Sequence, residues 1–351
     1  MINLSSSHLS ARAPMALALV SVAFCAASFD PTLSPRTAQA ATAGFDAAAI
    51  ERSKQATLGV LQSGEDLTSP PSKTHFTMRG TAVHLGDGYL VTARHVVERD
   101  EEGRKVVPKE VTIMTSRMEE ASAQLVGGSA FLDVVLYRLP ADLAARLAAT
   151  SFADSEAPPG QEVYTIGYPM GWGPAMMYGR VGNPNTFLPT ADTRLVQLDL
   201  GACAGNSGGG VFDDTGRLIG LMHAIIQTDT PQAGDQRCSR FGFAIPGTLA
   251  RKLVTAIMQG EQPSFSRLGI GLAAVRVGSN WRLSASDVGG PAKEAGLKKG
   301  DVLLAIDDTD ILDGAQLKNY LIERTTPGQK VALKVLRGQQ EQTLTVTLGK
   351  S

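Results

Sequence analysis

At 351 residues the chain has room for about two domains of ordinary size. Its 33 Lys+Arg against 34 Asp+Glu leave none of the basic excess of a nucleic-acid binder, so no nucleic-acid partner is expected. With 37 Gly and only 5% aromatic residues, the profile suits many short strands joined by turns and excludes a coiled coil.

In chain order, Arg12 precedes an apolar stretch from Met15 to Ala27, and small residues follow up to Ala38-Gln39-Ala40, an A-x-A cleavage pattern. Residues 1–40 therefore read as a signal peptide, with a cut near Ala27 as the alternative. A retained membrane anchor is the other reading, although the stretch is short for a bilayer-spanning helix. Either reading takes the rest of the chain out of the cytoplasm, to the periplasm or another exported location. Beyond the leader only Cys203 and Cys238 remain, an even pair that an exported protein can join.

Spaced apolar residues from Phe45 to Ala56 predict a short helix. From Thr57 to Leu218 the pattern changes to short β-prone runs between turn residues: Leu58–Gln62, Thr81–Leu85, Tyr89–Thr92, Val111–Met114, Val134–Leu139, Val163–Ile166, Leu195–Leu198 and Leu218–His223. This spacing is that of an all-β barrel or sandwich. Phe241–Ile245 adds a strand, and Leu249, Leu253, Val254 and Ile257 form a helical stripe within Thr248–Gln259. Residues 45–260 thus read as one mainly β domain, 261–266 as a linker and 267–351 as a small α+β module. That module is expected to hold strands at Leu268–Val277, Val302–Asp307, Lys330–Arg337 and Gln342–Leu348, with helices at Pro291–Ala295 and Gly314–Arg324.

The run Gly205-Asn206-Ser207-Gly208-Gly209 carries the chemistry. A serine among glycines sits in a tight turn, where its hydroxyl can face a cleft and nearby N–H groups can converge on one point. A serine hydroxyl needs a base, and the base needs a third group to fix its tautomer. His95, within Thr92-Ala93-Arg94-His95-Val96-Val97, can be the base, and Asp133 the group that orients it. The N–H groups of Gly205 and Ser207 can form the oxyanion hole. No cofactor is expected, and no His/Cys/Asp cluster has metal-ligand spacing, so no metal site is expected either.

These segments, with Ile166-Gly167-Tyr168-Pro169 and Gly242-Phe243-Ala244-Ile245-Pro246, resemble the HtrA (Deg) family of trypsin-like serine proteases over most of the chain past the leader. The resemblance implies two six-stranded β-barrels with the site in the cleft between them, and a trimer or a multiple of trimers. It also implies an ATP-independent serine endopeptidase acting on unfolded polypeptides. A peptide-binding chaperone or stress sensor with minor proteolysis is the alternative. Three positions depart from the family pattern: Ala82 in place of glycine, Gly210 in place of Pro or Ala (which should loosen the turn), and Cys203. A cysteine four residues before the serine is a feature of secreted trypsin-like proteases. The parallel implies a Cys203–Cys238 disulfide beside the specificity pocket, with two free thiols as the alternative.

By the same parallel Gly201 stands at the base of that pocket, with Ala224, Ile225 and Ile226 on its side strand. With no acid there, and with Ile225 and Ile226 narrowing the pocket, cleavage is expected after small or medium aliphatic residues. Asp199 is expected to support its loop, and His75 and His84 to be structural or exposed. His223 reads either as a packed, satisfied histidine or as a partner of Asp133 or of substrate.

Leu268-Gly269-Ile270-Gly271 and Gly289-Gly290-Pro291-Ala292-Lys293-Glu294-Ala295-Gly296-Leu297, followed by Gly300-Asp301, resemble a PDZ domain. The likeness implies that Leu268, Gly269, Ile270 and Gly271 receive a peptide's C-terminal carboxylate, while Leu317 and Leu321 line the groove. Ordinary core packing is the other reading of the two leucines.

Overall fold

The computed structural model describes residues 44–61, 78–188, 191, 193–226 and 238–350. The signal-peptide reading of residues 1–40 and His75 both lie outside them. Among the described residues no helix is long and apolar enough to cross a membrane.

Helix α1 (Ala47–Gln55) starts at Asp46, whose carboxylate accepts the Ala48 N–H at 3.0 Å, a side-chain N-cap. There follow β1 (Thr57–Leu61), β2 (Met78–Gly86), β3 (Tyr89–Ala93), the one-turn α2 (Arg94–Val97), a β4–β5 hairpin (Arg99–Glu101, Arg104–Val106), β6 (Glu110–Met114), β7 (Glu120–Ser129) and β8 (Val134–Arg138). Six of these strands close a barrel in the order β1-β2-β3-β8-β7-β6. Alternate residues of the strands, among them Leu58, Val60, Leu90, Ile113, Val135 and Tyr137, point inward and fill it.

After α3 (Ala141–Ala144) come β9 (Glu162–Gly167), β10 (Ala175–Thr186), β11 (Leu195–Cys203), β12 (Gly210–Phe212), β13 (Leu218–Ile225) and β14 (Cys238–Pro246). They close a second barrel, β10-β11-β14-β13-β12-β9. Val83, Val91 and Leu136 of the first barrel share one core with Tyr164, Ile166, Phe212 and Leu221 of the second. Helix α4 (Gly247–Met258) lays its predicted stripe, Leu249, Leu253, Val254 and Ile257, into that seam. Each such side chain contributes about 1.5–3 kcal/mol when fully buried, so the seam is rigid enough to hold groups from both barrels in register.

The C-terminal module contains β15 (Ser266–Arg267), β16 (Ile270–Val277), β17 (Asn280–Val288), α5 (Gly290–Glu294), β18 (Val302–Ile306), β19 (Thr309–Asp310), α6 (Gly314–Glu323), β20 (Lys330–Arg337), β21 (Gln340–Thr347) and β22 (Gly349–Lys350). Its sheet runs β16-β17-β18-β20-β21, with β19 paired to β18. Asp301 at the head of β18 is buried and takes both Arg337 Nε (2.8 Å) and Nη2 (2.6 Å), plus the Lys298 N–H. Burial pushes its carboxyl up, but the Arg337 bonds, the Lys298 N–H and the two positive charges outweigh that and hold it below the ordinary carboxylate range.

Several elements differ from expectation. Strands β7, β10, β12 and β17 lie outside the expected runs, as do the short β4, β5, β15, β19 and β22. β7 reads Glu-Ala-Ser-Ala-Gln-Leu-Val-Gly-Gly-Ser, β10 contains Gly179, Gly182 and Pro184, and β12 has only three residues. Ladder pairing in a closed barrel overrides such weak local propensity. The strand expected over Leu268–Val277 breaks at Gly269, which sits at φ +78°. The end of the predicted linker is packed rather than free: Phe265 and Ser266 are buried, and Ser266 pairs with Lys350. Gly210 is the first residue of β12, where Phe212 and Leu218 occupy the space a side chain would need.

Helix α6 also touches the second barrel. Buried Arg194 pairs with Glu323 (Nε–Oε1 2.5 Å) and with Glu156, and Lys318 lies over the Phe187 ring at 4.4 Å.

Candidate active site

His95 sits in the turn of helix that follows β3, and Asp133 closes the turn that leads into β8. Asp133 adopts φ +55°, a left-handed conformation that short polar side chains tolerate by bonding locally. Its main chain is held at both ends: the Arg94 N–H donates to Asp133 O at 2.9 Å, and the Asp133 N–H donates to Ala130 O at 3.3 Å. The carboxylate then takes the His95 N–H on Oδ1 (2.8 Å) and His95 Nδ1–H on Oδ2 (2.6 Å). This leaves Nε2 of His95 as the free ring nitrogen for a reacting proton.

His223, on β13, donates Nδ1–H to the same Asp133 Oδ2 at 2.8 Å. The two imidazoles meet edge to face, 5.6 Å between centroids. Burial pushes the Asp133 carboxyl up, but the bonds from His223 and His95 and the charges of the two rings hold it well below the ordinary carboxylate range. Of the two readings of His223, the structure shows the partner of Asp133. The expectation of no metal cluster rested on spacing along the chain. The fold instead brings ligand atoms of His95, Asp133 and His223 within 4.8 Å of one another.

Ser207 lies in the turn between β11 and β12, clamped by its own backbone. Thr81 on β2 donates its N–H to Ser207 O at 2.9 Å, and Gly208 donates to Met222 O on β13 at 2.8 Å. The serine is thus tied to the first barrel next to α2. Position 80 shows how close: a Cβ on Gly80 would come within 2.6 Å of Val96 and 3.0 Å of Ser207 O. Gly205 has φ +100°, and a Cβ there would meet Tyr168 O at 2.3 Å, so both conformation and space require glycine. The Ala204 carbonyl accepts the Met170 N–H at 2.7 Å. Because the peptide is trans, the Gly205 N–H points the opposite way. Among the described residues neither the Gly205 nor the Ser207 N–H has a protein acceptor, as two oxyanion donors require.

The reading from sequence missed Thr81 and Met170. Thr81 Oγ1 donates to Gly205 O (2.7 Å) and accepts the Tyr168 N–H (3.1 Å), so one hydroxyl joins three segments of the site. Only the backbone trace shows this, since a threonine within a strand has no distinguishing spacing. Asn206 was legible as part of the glycine run, and its Oδ1 accepts the Cys203 N–H at 3.0 Å.

Cys203 and Cys238 form a disulfide across the ends of β11 and β14. Next to it, a side chain on Gly201 would meet open space. Ala224 and Ile226 lie on one face of their segment, Ile226 exposed. Ile225 lies on the other face and packs against the second-barrel core, so it does not narrow a pocket on that side. Asp199 pairs with Arg240 across the β11–β14 ladder at 2.8 Å, a supporting role. His84 is buried, donates Nδ1–H to Ala148 O (2.8 Å) and accepts the Gly88 N–H on Nε2 (3.2 Å), which makes it structural.

In the C-terminal module Leu268, Gly269, Ile270, Leu317 and Leu321 line one cavity of about 150 Å³. Gly271 lies beyond it, opposite Asp287 in the β16–β17 ladder. Phe131 of the first barrel also lines the cavity, which no local signal predicts.

Residues 80–221 match the model of a trypsin-like peptidase domain and residues 270–348 that of a PDZ domain. A probable periplasmic serine endoprotease, DegP-like, of Halomonas elongata is 29% identical over 303 residues, covering 82% of this chain and 60% of that protein. The serine protease Do-like HtrB of Bacillus subtilis is 24% identical over 288 residues, covering 75% and 59%. The chain thus spans about 60% of the length of such curated relatives. Among solved structures, the HtrA-type protease AlgW with decapeptide superposes with a TM-score of 0.65 at 26% identity, over 86% of this chain and 98% of that one.

Proposed function

We propose that this chain, a trypsin-like peptidase domain followed by a PDZ domain, is an exported, ATP-independent serine endopeptidase of the HtrA/Deg type that acts on unfolded polypeptides. One observation carries this: the Asp133 carboxylate fixes His95 with its proton on Nδ1, beside a serine turn that offers two unengaged N–H groups.

In the proposed cycle His95 Nε2 takes the Ser207 hydroxyl proton as Oγ attacks the scissile carbonyl carbon. The oxyanion forms where the Gly205 and Ser207 N–H groups converge. Asp133 stabilises the imidazolium, which then gives its proton to the leaving amine. Water repeats the sequence on the acyl-enzyme, with His95 again the base. Such charge-directed hydrogen bonds, set before the reaction, are worth about 3–4 kcal/mol for each oxyanion donor.

The C-terminal cavity would receive peptide C-termini, with backbone N–H groups around Gly269 meeting the carboxylate and β16 accepting the peptide as an added strand. With no acid at Gly201 or Ala202, aliphatic rather than basic residues are favoured before the scissile bond. Location in the periplasm and assembly as a trimer or a multiple of trimers complete the reading; the DegP-like relatives are named periplasmic. The relatives are also named serine endoproteases or serine proteases, which weighs against a chaperone with minor proteolysis. Ser207→Ala should lower turnover of unfolded casein by about 10⁴–10⁶-fold. Wild type that protects casein without cutting it would reverse the order of the two readings.

A further inference from the structure

We propose that His95, Asp133 and His223 form a zinc-binding site, and that a single Zn²⁺ held there switches the peptidase off; the inhibitory half rests on His95 being the base. The observation behind it is the second imidazole. Asp133 Oδ2 is met by Nδ1 of His95 at 2.6 Å and by Nδ1 of His223 at 2.8 Å, so two ring nitrogens gather around one carboxylate oxygen. The three ligand atoms lie within 4.8 Å of one another. Two imidazoles and a carboxylate make a three-ligand zinc site of the open kind, with the fourth position left to water. Imidazole nitrogen suits borderline-soft ions such as Zn²⁺ and Cu²⁺, whereas Mg²⁺ and Ca²⁺ prefer oxygen.

Ligand atoms at about 2.0–2.1 Å from one tetrahedral ion lie roughly 3.3 Å apart. The two N–O separations must therefore open by roughly 0.5–0.7 Å, with the ion entering between Oδ2 and the two Nδ1 atoms. His95 can yield this, since its side chain is 42% exposed and borders the cleft, while His223 and Asp133 are 17% and 19% exposed and form the fixed side. The His95 N–H bond to Oδ1 keeps the carboxylate plane in place while Oδ2 turns to the ion.

Protons balance without a co-reactant. Each neutral imidazole now carries its proton on Nδ1, and to bind the ion it carries that proton on Nε2 instead, so none is released overall. His95 Nε2, now protonated, cannot accept the Ser207 proton, and the nucleophile is left without a base. A His95–Asp133 pair alone offers the ion two ligands; His223 supplies the third that makes the site selective.

The test uses the full chain with Ser207→Ala, which prevents self-digestion. ZnCl₂ is titrated by calorimetry, and CoCl₂ is followed by the visible absorption of four- or five-coordinate Co²⁺. The expected result is one ion per chain, with affinity lowered about tenfold or more by His223→Ser and by His95→Ala, as for loss of a ligand. Circular dichroism checks that the variants are folded. No binding, or binding unchanged by His223→Ser, overturns the site. With Ser207 restored, micromolar ZnCl₂ should block casein cleavage, EDTA should restore it, and His223→Ser should raise the half-inhibitory concentration by the same factor. Cleavage indifferent to Zn²⁺ overturns the switch. Absence of cleavage at any zinc level overturns the switch and the peptidase reading together, while His223-dependent binding would still support the site.

Discussion

The ring of Phe131 stacks on that of Phe265, with 5.4 Å between centroids and 16° between planes. Phe131 comes from the first barrel, and Phe265 leads into the C-terminal module. Phe131 also lines the cavity formed by Leu268, Ile270, Leu317 and Leu321, and stands two residues before Asp133. The wall of this cavity and the turn holding the Asp133 carboxylate are therefore one stretch of chain. An aromatic contact of this kind is worth about 0.5–1.5 kcal/mol beyond its buried area. Phe131→Ala should weaken binding of a peptide C-terminus to the Ser207→Ala protein by about two- to tenfold, measured by fluorescence anisotropy. Equal affinities would show that the bound peptide does not reach Phe131.

Gly205→Ala tests the serine turn. The new Cβ would meet Tyr168 O at 2.3 Å in a backbone held at φ +100°, so the Ala204–Gly205 peptide must move and its bond to Met170 must change. A fall of about 10²–10³ in kcat with KM little changed is expected, the loss of one oxyanion donor. Wild-type kcat in this variant would remove Gly205 from the oxyanion hole.

His84 sets an acid limit on stability. Burial lowers its pKa, against smaller raising effects from the Ala148 carbonyl and Asp87. In the folded chain Nε2 accepts the Gly88 N–H, so protonation there breaks that bond. The unfolded chain takes up the proton first, near an ordinary histidine value of about 6.5. Stability is therefore full above that pH and declines as pH falls below it. Urea midpoints measured from pH 8 to 5 should drop on the acid side. In His84→Gln the part due to this group should be absent, and an unchanged slope in the variant would assign the decline elsewhere.

The disulfide closes a loop of 35 residues between Cys203 and Cys238. Constraint of the unfolded chain makes it worth about 3–4 kcal/mol. Cys203→Ser with Cys238→Ser should lose that amount in denaturant unfolding. Because Cys203 donates its N–H to Asn206, beside the serine, cleavage should also fall. A double variant of wild-type stability and activity would make the bridge incidental.

Much of this was readable in one dimension. The α4 stripe, the short helix α1 and most barrel strands follow from spacing and turn residues, because those are local effects. The barrel strands outside that reading, β7, β10 and β12, are short, polar or glycine-bearing, and exist because neighbours in a closed barrel supply their hydrogen bonds; β17, with Arg282, Ser284, Ser286 and Asp287, is held in the same way between β16 and β18. Ile225 shows the limit of strand position as a guide: its place beside Ile226 was legible, but it packs, half-buried, against the second-barrel core.

Residue identity and order along the chain determined the serine turn, its histidine and aspartate, and the cysteine pair, because each lies in a short segment whose chemistry is local. Tertiary structure alone decided that two histidines meet the same oxygen of Asp133. His95 is 38 positions away and His223 is 90, and both Nδ1 atoms reach one oxygen because β3, β8 and β13 pack at the seam of two closed barrels. It decided in the same way that Phe131 walls a cavity of the other domain. Spacing constrains partners within a turn or two of chain, whereas barrel closure sets contacts between strands far apart in sequence.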